Sequence, residues 1–416
     1  METVIVLFNR DLRVHDHPAL AAACERARAV IPLFVLDETI PSGRRRDFLL
    51  ECLADLRTSL RARRGELIVR HGDVVAETGR LARRSGAEAI FASADVTSLA
   101  RRREDRLARE PIAYLRFPGV TVVPPGALLP AGGGDHYRVF TPYWRAWSRH
   151  RHRPLLAPPS HVPTPGDLDP GPLPAPKQPG AVPGGETAAR DRARQWIRHA
   201  LPGYADGHDD LAGDRTSRLS PYLRFGCLSP LELVQLAAGS EEFVRQLCWR
   251  DFYHQVTYAF PRINRDDYRP RGHLWRDDAD ALQAWGAGMT GLPIVDAGMR
   301  QLLAEGWMHN RARLIVASYL VKVLGIDWRA GARHFFDHLL DGDVANNSGN
   351  WQWVAGTGND TRPHRGFNPL SQARRFDPAG DYVRRYVPEL ADVPAVRVHE
   401  PWTLPTPPRG YRRPML

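Results

Sequence analysis

VIVLFNRDLRVHDHPALAAACERARAVIPLFVL, residues 4–36, sets two apolar runs of strand length on either side of a break. Three further runs follow, ELIVRHG at 66–72, AEAIFAS at 87–93 and VTVVPPG at 120–126. Helical patterns such as RDFLLECLADLRTSLRARRG (46–65) separate them. Strand runs alternating with helices are the rhythm of βαβ units, so residues 1–130 are expected to form a parallel, Rossmann-like sheet flanked by helices. The residues after the first run, NRDLRVHDHPAL, contain no GxGxxG, which argues against a standard dinucleotide site in this domain. Residues 131–186 read as an interdomain linker, because proline and glycine dominate RHRPLLAPPSHVPTPGDLDPGPLPAPKQPGAVPGGET (151–187) and sustain neither helix nor central strand. From 187 to 416 strand signals fade and helical periods take over. Ser229-Pro230-Leu231-Glu232 has the form of a capping box with proline at the first helical position. The fold class is thus α/β followed by all-α, with no tandem repeat.

With 416 residues, 43% hydrophobic and 25% charged, the chain is long enough for two domains with cores of their own. Cys24, Cys52, Cys227 and Cys248 have neither CxxC nor Cys/His spacing, so no disulfide framework or structural zinc is expected, and a reducing, cytoplasmic setting fits. No basic leader, apolar signal or bilayer-length apolar span is read, so membrane insertion and export are not expected. A net charge of +10 favours a polyanionic partner, although arginine-rich surfaces also carry such charge without function.

The chemistry concentrates in the C-terminal half. In WMHNRARLIVASYLVK (307–322), one helix running from 307 to 323 would stack Trp307, Asn310 and Leu314 with Arg313 beside them. Thr216, Ser217 and Ser220 offer three hydroxyls ahead of Pro221, a pattern for phosphate at a helix start that is also an ordinary N-cap. Asp341 and Asp343 flank Gly342 at the end of a helical pattern, where a helix C-terminus disfavours carboxylates and something must compensate. A metal is not expected, since no His or Glu stands at ligand spacing. Ribose hydroxyls or ring nitrogens suit these acids, and an ordinary Asp-Gly turn is the bland alternative. Eight of the eleven tryptophans follow residue 240, an excess that serves core packing, base stacking or electron transfer alike.

TSRLSPYLRFG (216–226), LCWRDFYHQV (247–256), TGLPIVDAGMRQLLAEGWMHNRARLIVASYLVK (290–322) and DGDVANNSGNWQWVAGTG (341–358) strongly resemble the photolyase/cryptochrome family. The resemblance is nearest to bacterial class I photolyases of cyclobutane pyrimidine dimers. It spans FNRDLRVHDHPAL (8–20) to FDPAGDYVRRYVPEL (376–390), several long motifs in order. It implies an antenna domain, a linker and a helical domain holding FAD. By position it implies FAD-phosphate contacts at Tyr204, Thr216, Ser217, Leu219 and Ser220, with Arg250 nearby. Trp307, Asn310, Arg313, Asp341 and Asp343 would line adenine, ribose and isoalloxazine, and Asn347 would face flavin N5. Trp351, Trp328 and Trp275 would carry electrons from flavin to surface. Trp249 and Trp353 would line the lesion pocket together with Gln246, Asn310 and Leu314. Arg311 would meet a DNA phosphate, helped by basic side chains of RPHRG (362–366) and SQARRF (371–376).

The implied activity is light-driven DNA repair: reduced FAD gives an electron to a flipped-out pyrimidine dimer, the cyclobutane ring splits, and the electron returns. Two positions depart from the family pattern. Gln246 stands where dimer photolyases carry Glu in WxxELxWR, and Leu314 replaces a Met packed on the lesion. An amide still hydrogen-bonds a pyrimidine edge but shares no acidic proton, whereas Leu for Met keeps apolar volume. Eukaryote-type (6-4) repair is disfavoured, because Asn310 and Leu314 stand where its histidines would be. The Asn-Glu pair of folate-binding members is absent at Thr97-Ser98. DVTSLARRRED (95–105) resembles instead the 8-hydroxy-5-deazaflavin antenna type, with Arg44 and Asp95 as its contacts. The alternative reading is a cryptochrome-like blue-light photoreceptor with FAD and little repair; the short segment after 398 favours repair. The expected partner is DNA containing pyrimidine dimers, and the expected state is a monomer in the cytoplasm, at the nucleoid.

Overall fold

The computed structural model of the protein describes residues 1–37, 43–178, 180, 182–359, 362 and 366–415. By its contacts the chain divides into two compact units. One comprises Met1–Tyr137, Thr141–Leu201 and Ser217–Pro261, the other Arg138–Phe140, Pro202–Thr216 and Arg262–Leu416.

The first unit is built on strands β1 (Thr3–Leu7), β2 (Ala29–Leu36), β3 (Ile68–His71), β4 (Ala89–Ser93) and β5 (Ala113–Phe117), all parallel, in the order β3-β2-β1-β4-β5. The order reverses between β1 and β4, the signature of a doubly wound sheet. Val4, Ile5 and Val6 are wholly buried, as a central strand with helices on both faces requires. The edge strand β3 is not left open: the Val69 N–H donates to the carbonyl of Pro170 at 2.7 Å, in the proline-rich segment. That segment also accepts from Val30 through the Pro163 carbonyl at 2.9 Å, and it buries Val162 completely.

The fifth strand is not the run expected. In VTVVPPG at 120–126, residues 120–123 are buried but join no strand, and AYLRF at 113–117 takes the edge position instead. The reason lies in the Asp251 carboxylate, whose Oδ2 accepts from the N–H groups of Val122 (2.9 Å) and Val123 (3.0 Å) and from Trp147 Nε1 (3.0 Å). Arg250 donates to the Val120 carbonyl at 2.6 Å. Backbone groups so engaged with helix Glu241–Ala259 are lost to a sheet ladder. Ser229 caps its helix as read, accepting from the Glu232 N–H at 3.2 Å with Pro230 at the first position. The Glu232 side chain pairs with Arg190 at 3.0 Å instead of reaching back to close the box.

The second unit is helical around a core containing Trp285, Leu302, Ile315, Val316, Leu320, Trp328, Phe335, Trp351 and Tyr382. One helix was expected over 307–323, but the structure divides this stretch. Gly306, at φ +65°, ends helix Pro293–Glu305, and Trp307 and Met308 form a connection. His309 then caps helix Asn310–Ser318 by accepting from the Arg311 N–H at 3.1 Å, and a π-helical turn follows at Tyr319–Val323. Trp307 therefore lies off the helical stripe on which it was expected. Among the described residues no helix is long and apolar enough to cross a membrane, and all four cysteines are free thiols.

Candidate cofactor-binding site

Two helix faces in the second unit line a partly open cleft. Asn310, Arg313, Leu314 and Ala317 come from one helix at i, i+3, i+4 and i+7. Asn346, Asn347, Asn350, Trp351 and Val354 come from helix Val344–Ala355, again along one face. Phe335 and Leu339 add apolar wall. The sequence reading named only Asn347 and Trp351 on the second face. The i, i+3, i+4, i+7 progression from Asp343 marks Asn346 and Asn350 as well, a signal available in the sequence.

The two acids are compensated differently from the expectation. The preceding helix, Trp328–His338, has ended before either of them. Asp343 is the N-cap of the next helix, accepting from the Asn346 N–H at 2.8 Å and from Asn346 Nδ2 at 2.7 Å, so it meets a favourable dipole end. Asp341 is 8% exposed and pairs through Oδ2 with Arg313 Nη2 at 2.8 Å, while Arg313 Nε donates to the Met308 carbonyl at 2.9 Å. Asp341 Oδ1 is buried with no hydrogen-bond partner among the described residues. A buried carboxylate oxygen left in this way is costly unless a ligand donates to it. Asn347 Nδ2 donates to the Ala332 carbonyl at 2.8 Å. Because a carbonyl only accepts, the amide nitrogen faces Ala332, and the amide oxygen and the second N–H are left for a ligand. The cleft thus suits a planar ring and sugar rich in N–H and O–H donors, held against apolar walls.

Trp351 lies at the cleft, 2% exposed and edge-on to Phe335 (5.0 Å between centroids) and Trp285 (6.0 Å). Trp328 is fully buried, and Trp275 is half-buried beside His273 at 4.9 Å. The three expected carriers therefore run from buried to partly exposed within one unit. Trp353, also in this unit, is half-buried with its ring 6.0 Å from Phe367. Arg311 does not stand as an open cation: its Nε and Nη2 grip Asp209 at 3.1 and 2.6 Å, and the guanidinium lies 4.4 Å from the Phe376 ring centroid. Tyr204 is buried, which pushes its phenol up to about 12, and the hydroxyl of Thr216 is buried without a partner among the described residues.

In the first unit, Gln246 is exposed on helix Glu241–Ala259 one turn before Trp249 and Arg250, on the same face. Ser217 Oγ accepts from the Leu219 N–H at 3.3 Å, and Ser220 opens the short helix Ser220–Phe225 with Pro221 at its second residue. Arg44 is exposed at the start of helix Arg44–Arg61. The Asp95 carboxylate is engaged locally, accepting from Val96 (2.6 Å) and Thr97 (3.1 Å) and pairing with Arg10 at 3.4 Å. Within RPHRG, Pro363, His364 and Arg365 lie outside the described residues.

A doubly wound parallel sheet precedes a helical unit whose cleft, lined by acceptors and by Trp351, suits a nucleotide-type cofactor. Residues 4–164 match the family described as DNA photolyase, and residues 243–415 match the FAD binding domain of DNA photolyase. The deoxyribodipyrimidine photo-lyase of Streptomyces griseus is 49% identical over 97% of this chain and 93% of its own length. Among solved structures, a bacterial class III photolyase from Agrobacterium tumefaciens is similar at TM-score 0.89 and 34% identity, covering 98% of this chain and 91% of that one. A Synechocystis cryptochrome reaches TM-score 0.92 at 30% identity, covering 100% and 96%. The chain belongs to the photolyase/cryptochrome family, and its cofactor is FAD.

Proposed function

We propose that this chain is a deoxyribodipyrimidine photo-lyase, splitting cyclobutane pyrimidine dimers in DNA under near-ultraviolet or blue light. The observation that carries this reading is the 49% identity to a relative of that name over nearly the whole chain. Bound FAD supplies the electron that enters the dimer and returns after the ring has opened. The protein's part is positional and electrostatic. Arg313 and Asp341 hold the cofactor, Asp341 Oδ1 and Asn347 Oδ1 accept its donors, and Phe335, Leu339 and Val354 exclude water from the ring. Tyr204, Thr216, Ser217, Leu219, Ser220 and Arg250 take the phosphates; Trp307, Asn310 and Asp343 complete the nucleotide site. Trp249, Trp353 and Leu314 receive the extruded lesion, which stacking and apolar contact hold once it leaves the duplex. Gln246 hydrogen-bonds the pyrimidine edge. Trp351, Trp328 and Trp275 re-reduce an oxidised cofactor.

The remaining assignments belong to the same reading. Residues 1–130 form an antenna domain taking 8-hydroxy-5-deazaflavin near Arg44 and Asp95, residues 131–186 link it to the FAD domain at 187–416, and the chain works as a cytoplasmic monomer. The second reading, a photoreceptor with little repair, is favoured by Gln246 alone, since an amide cannot share an acidic proton with the lesion radical.

The test is restoration of thymine from a cyclobutane thymine dimer, in single- and double-stranded DNA, by photoreduced protein under blue light against a dark control. Light-dependent repair is expected. Reducible FAD without repair, recovered in Gln246→Glu, would replace the photolyase reading with the photoreceptor one.

A further inference from the structure

The three indoles proposed to carry electrons differ in what their N–H groups meet. Trp351 Nε1 is buried and has no acceptor among the described residues. Trp275 is half-buried. Trp328, fully buried, donates its Nε1–H to Asp267 Oδ1 at 2.9 Å. An indole N–H is barely acidic in the neutral ring and becomes strongly acidic once the ring loses an electron. A carboxylate already hydrogen-bonded to that proton is therefore a base in place, needing no reorganisation.

The Arg329 charge acts on both partners of this hydrogen bond: beside the ring it disfavours a ring cation, and on Asp267 it makes an ion pair that proton transfer must give up. The Arg329 guanidinium lies 4.7 Å from the Trp328 ring centroid. Its Nη2 donates to the same Asp267 Oδ1 at 2.7 Å, its Nη1 to Asp327 at 3.0 and 3.2 Å, and its Nε to the Arg265 carbonyl at 2.5 Å. So clamped, the cation cannot withdraw from the ring. A ring cation beside it is repelled, whereas releasing the proton to Asp267 removes the ring charge and cancels a carboxylate charge in one step. The other buried indole in contact with Trp351, Trp285, gives its N–H to the Val316 carbonyl at 3.0 Å, a group that cannot take a proton.

We propose that Asp267 is the proton acceptor of Trp328, making Trp328 the point at which the electron hole is held as a neutral radical. This rests on the reading that Trp351, Trp328 and Trp275 pass electrons to photoexcited oxidised flavin, which is the oxidant. Trp328 gives one electron to the oxidised Trp351 and restores it. The Nε1–H bond of Trp328 breaks and an O–H bond forms on Asp267. When Trp275 supplies an electron, the proton returns and both residues regain their starting forms. Holding the hole as a neutral radical slows its return to Trp351 and lengthens the time in which Trp275 can act.

The experiment uses FAD-loaded Trp275→Phe protein, in which transfer stops at Trp328, followed by transient absorption after a blue flash in H2O and D2O. The expected product is the neutral tryptophanyl radical, formed more slowly in D2O. In the Trp275→Phe/Asp267→Asn pair, the expected product is the cationic radical, with no solvent isotope effect and faster recombination; asparagine keeps an acceptor for the indole. Infrared difference spectra of Trp275→Phe alone should show the C=O band of a protonated carboxyl group on the same time scale, independently of whether the Asp267 variant folds. A cationic radical at Trp328 with no isotope effect and no such band would overturn the role of Asp267 while leaving the electron route intact. A radical yield unchanged by Trp328→Phe would instead remove the route itself, and the proposal with it.

Discussion

His309 shows how one buried side chain sets a pH limit on the molecule. Its Nδ1 accepts from the Arg311 N–H, so this nitrogen must be unprotonated, and burial pulls the imidazole down to about 4. Protons then bind the unfolded chain more readily than the folded one between the ordinary value of 6.5 and about 4. Stability is full above that window and is lost as pH falls through it, by on the order of 3 kcal/mol at the limit. Asp251 acts in the opposite sense. Burial raises it to about 6, so its contribution is fully present below 3.8 and is lost as pH rises through about 6. The two partly cancel in the wild-type protein. Replacing His309 by asparagine, a cap that does not titrate, should leave the protein more stable at pH 5 relative to pH 7 than the wild type is. Thermal melts at the two pH values check this, and an unchanged difference would mean that His309 does not set the window.

At the scale of elements, the sequence was legible where a pattern repeats and opaque where a single distant side chain decides. Four of the five strand runs fell on strands because an apolar run between helical patterns has few other uses. VTVVPPG failed because its N–H groups belong to Asp251, 128 and 129 residues away, and nothing local announces that. The stripe of Asn310, Arg313 and Leu314 was readable, yet Trp307 was misplaced, because a glycine C-cap followed by a histidine N-cap interrupts the apparent helix. The contact between helices Trp328–His338 and Val344–Ala355 was equally hidden. A Cβ on Gly331 would sit 2.2 Å from Trp351 Cη2 and 2.6 Å from Leu320 Cδ2, so the indole occupies the space that glycine leaves. Gly331→Ala should cost about 2–3 kcal/mol by overpacking and should turn the Trp351 ring. Urea unfolding would measure the first effect; near-ultraviolet circular dichroism and a slowed flavin photoreduction would register the second. A variant as stable as wild type with unaltered spectra would show that the methyl group is accommodated without displacing the ring.

Over the whole molecule, a net charge of +10 makes association with DNA salt-dependent, but charge count does not say which cations are available. Arg311 makes the point. It was assigned a phosphate from its place in a motif, while its guanidinium is held by Asp209 with both partners mostly buried, at 19% and 28% exposure. A phosphate contact must then compete with, or share, that carboxylate. If Arg311 serves DNA, removing Asp209 frees it: Asp209→Asn should tighten binding to dimer-containing DNA and steepen the dependence of log affinity on log salt by about one. Arg311→Ala should weaken binding and flatten the same slope by about one. If the ion pair is only an internal brace between Pro202–Thr216 and helix Asn310–Ser318, both substitutions should instead lower the melting temperature and leave the slope alone. Titrations of labelled DNA at several salt concentrations, run with thermal melts on the same samples, separate the two cases. The Asp209→Asn effect measured again in an Arg311→Ala background decides between them, because release of Arg311 has no effect there whereas the mere loss of a negative charge near DNA persists.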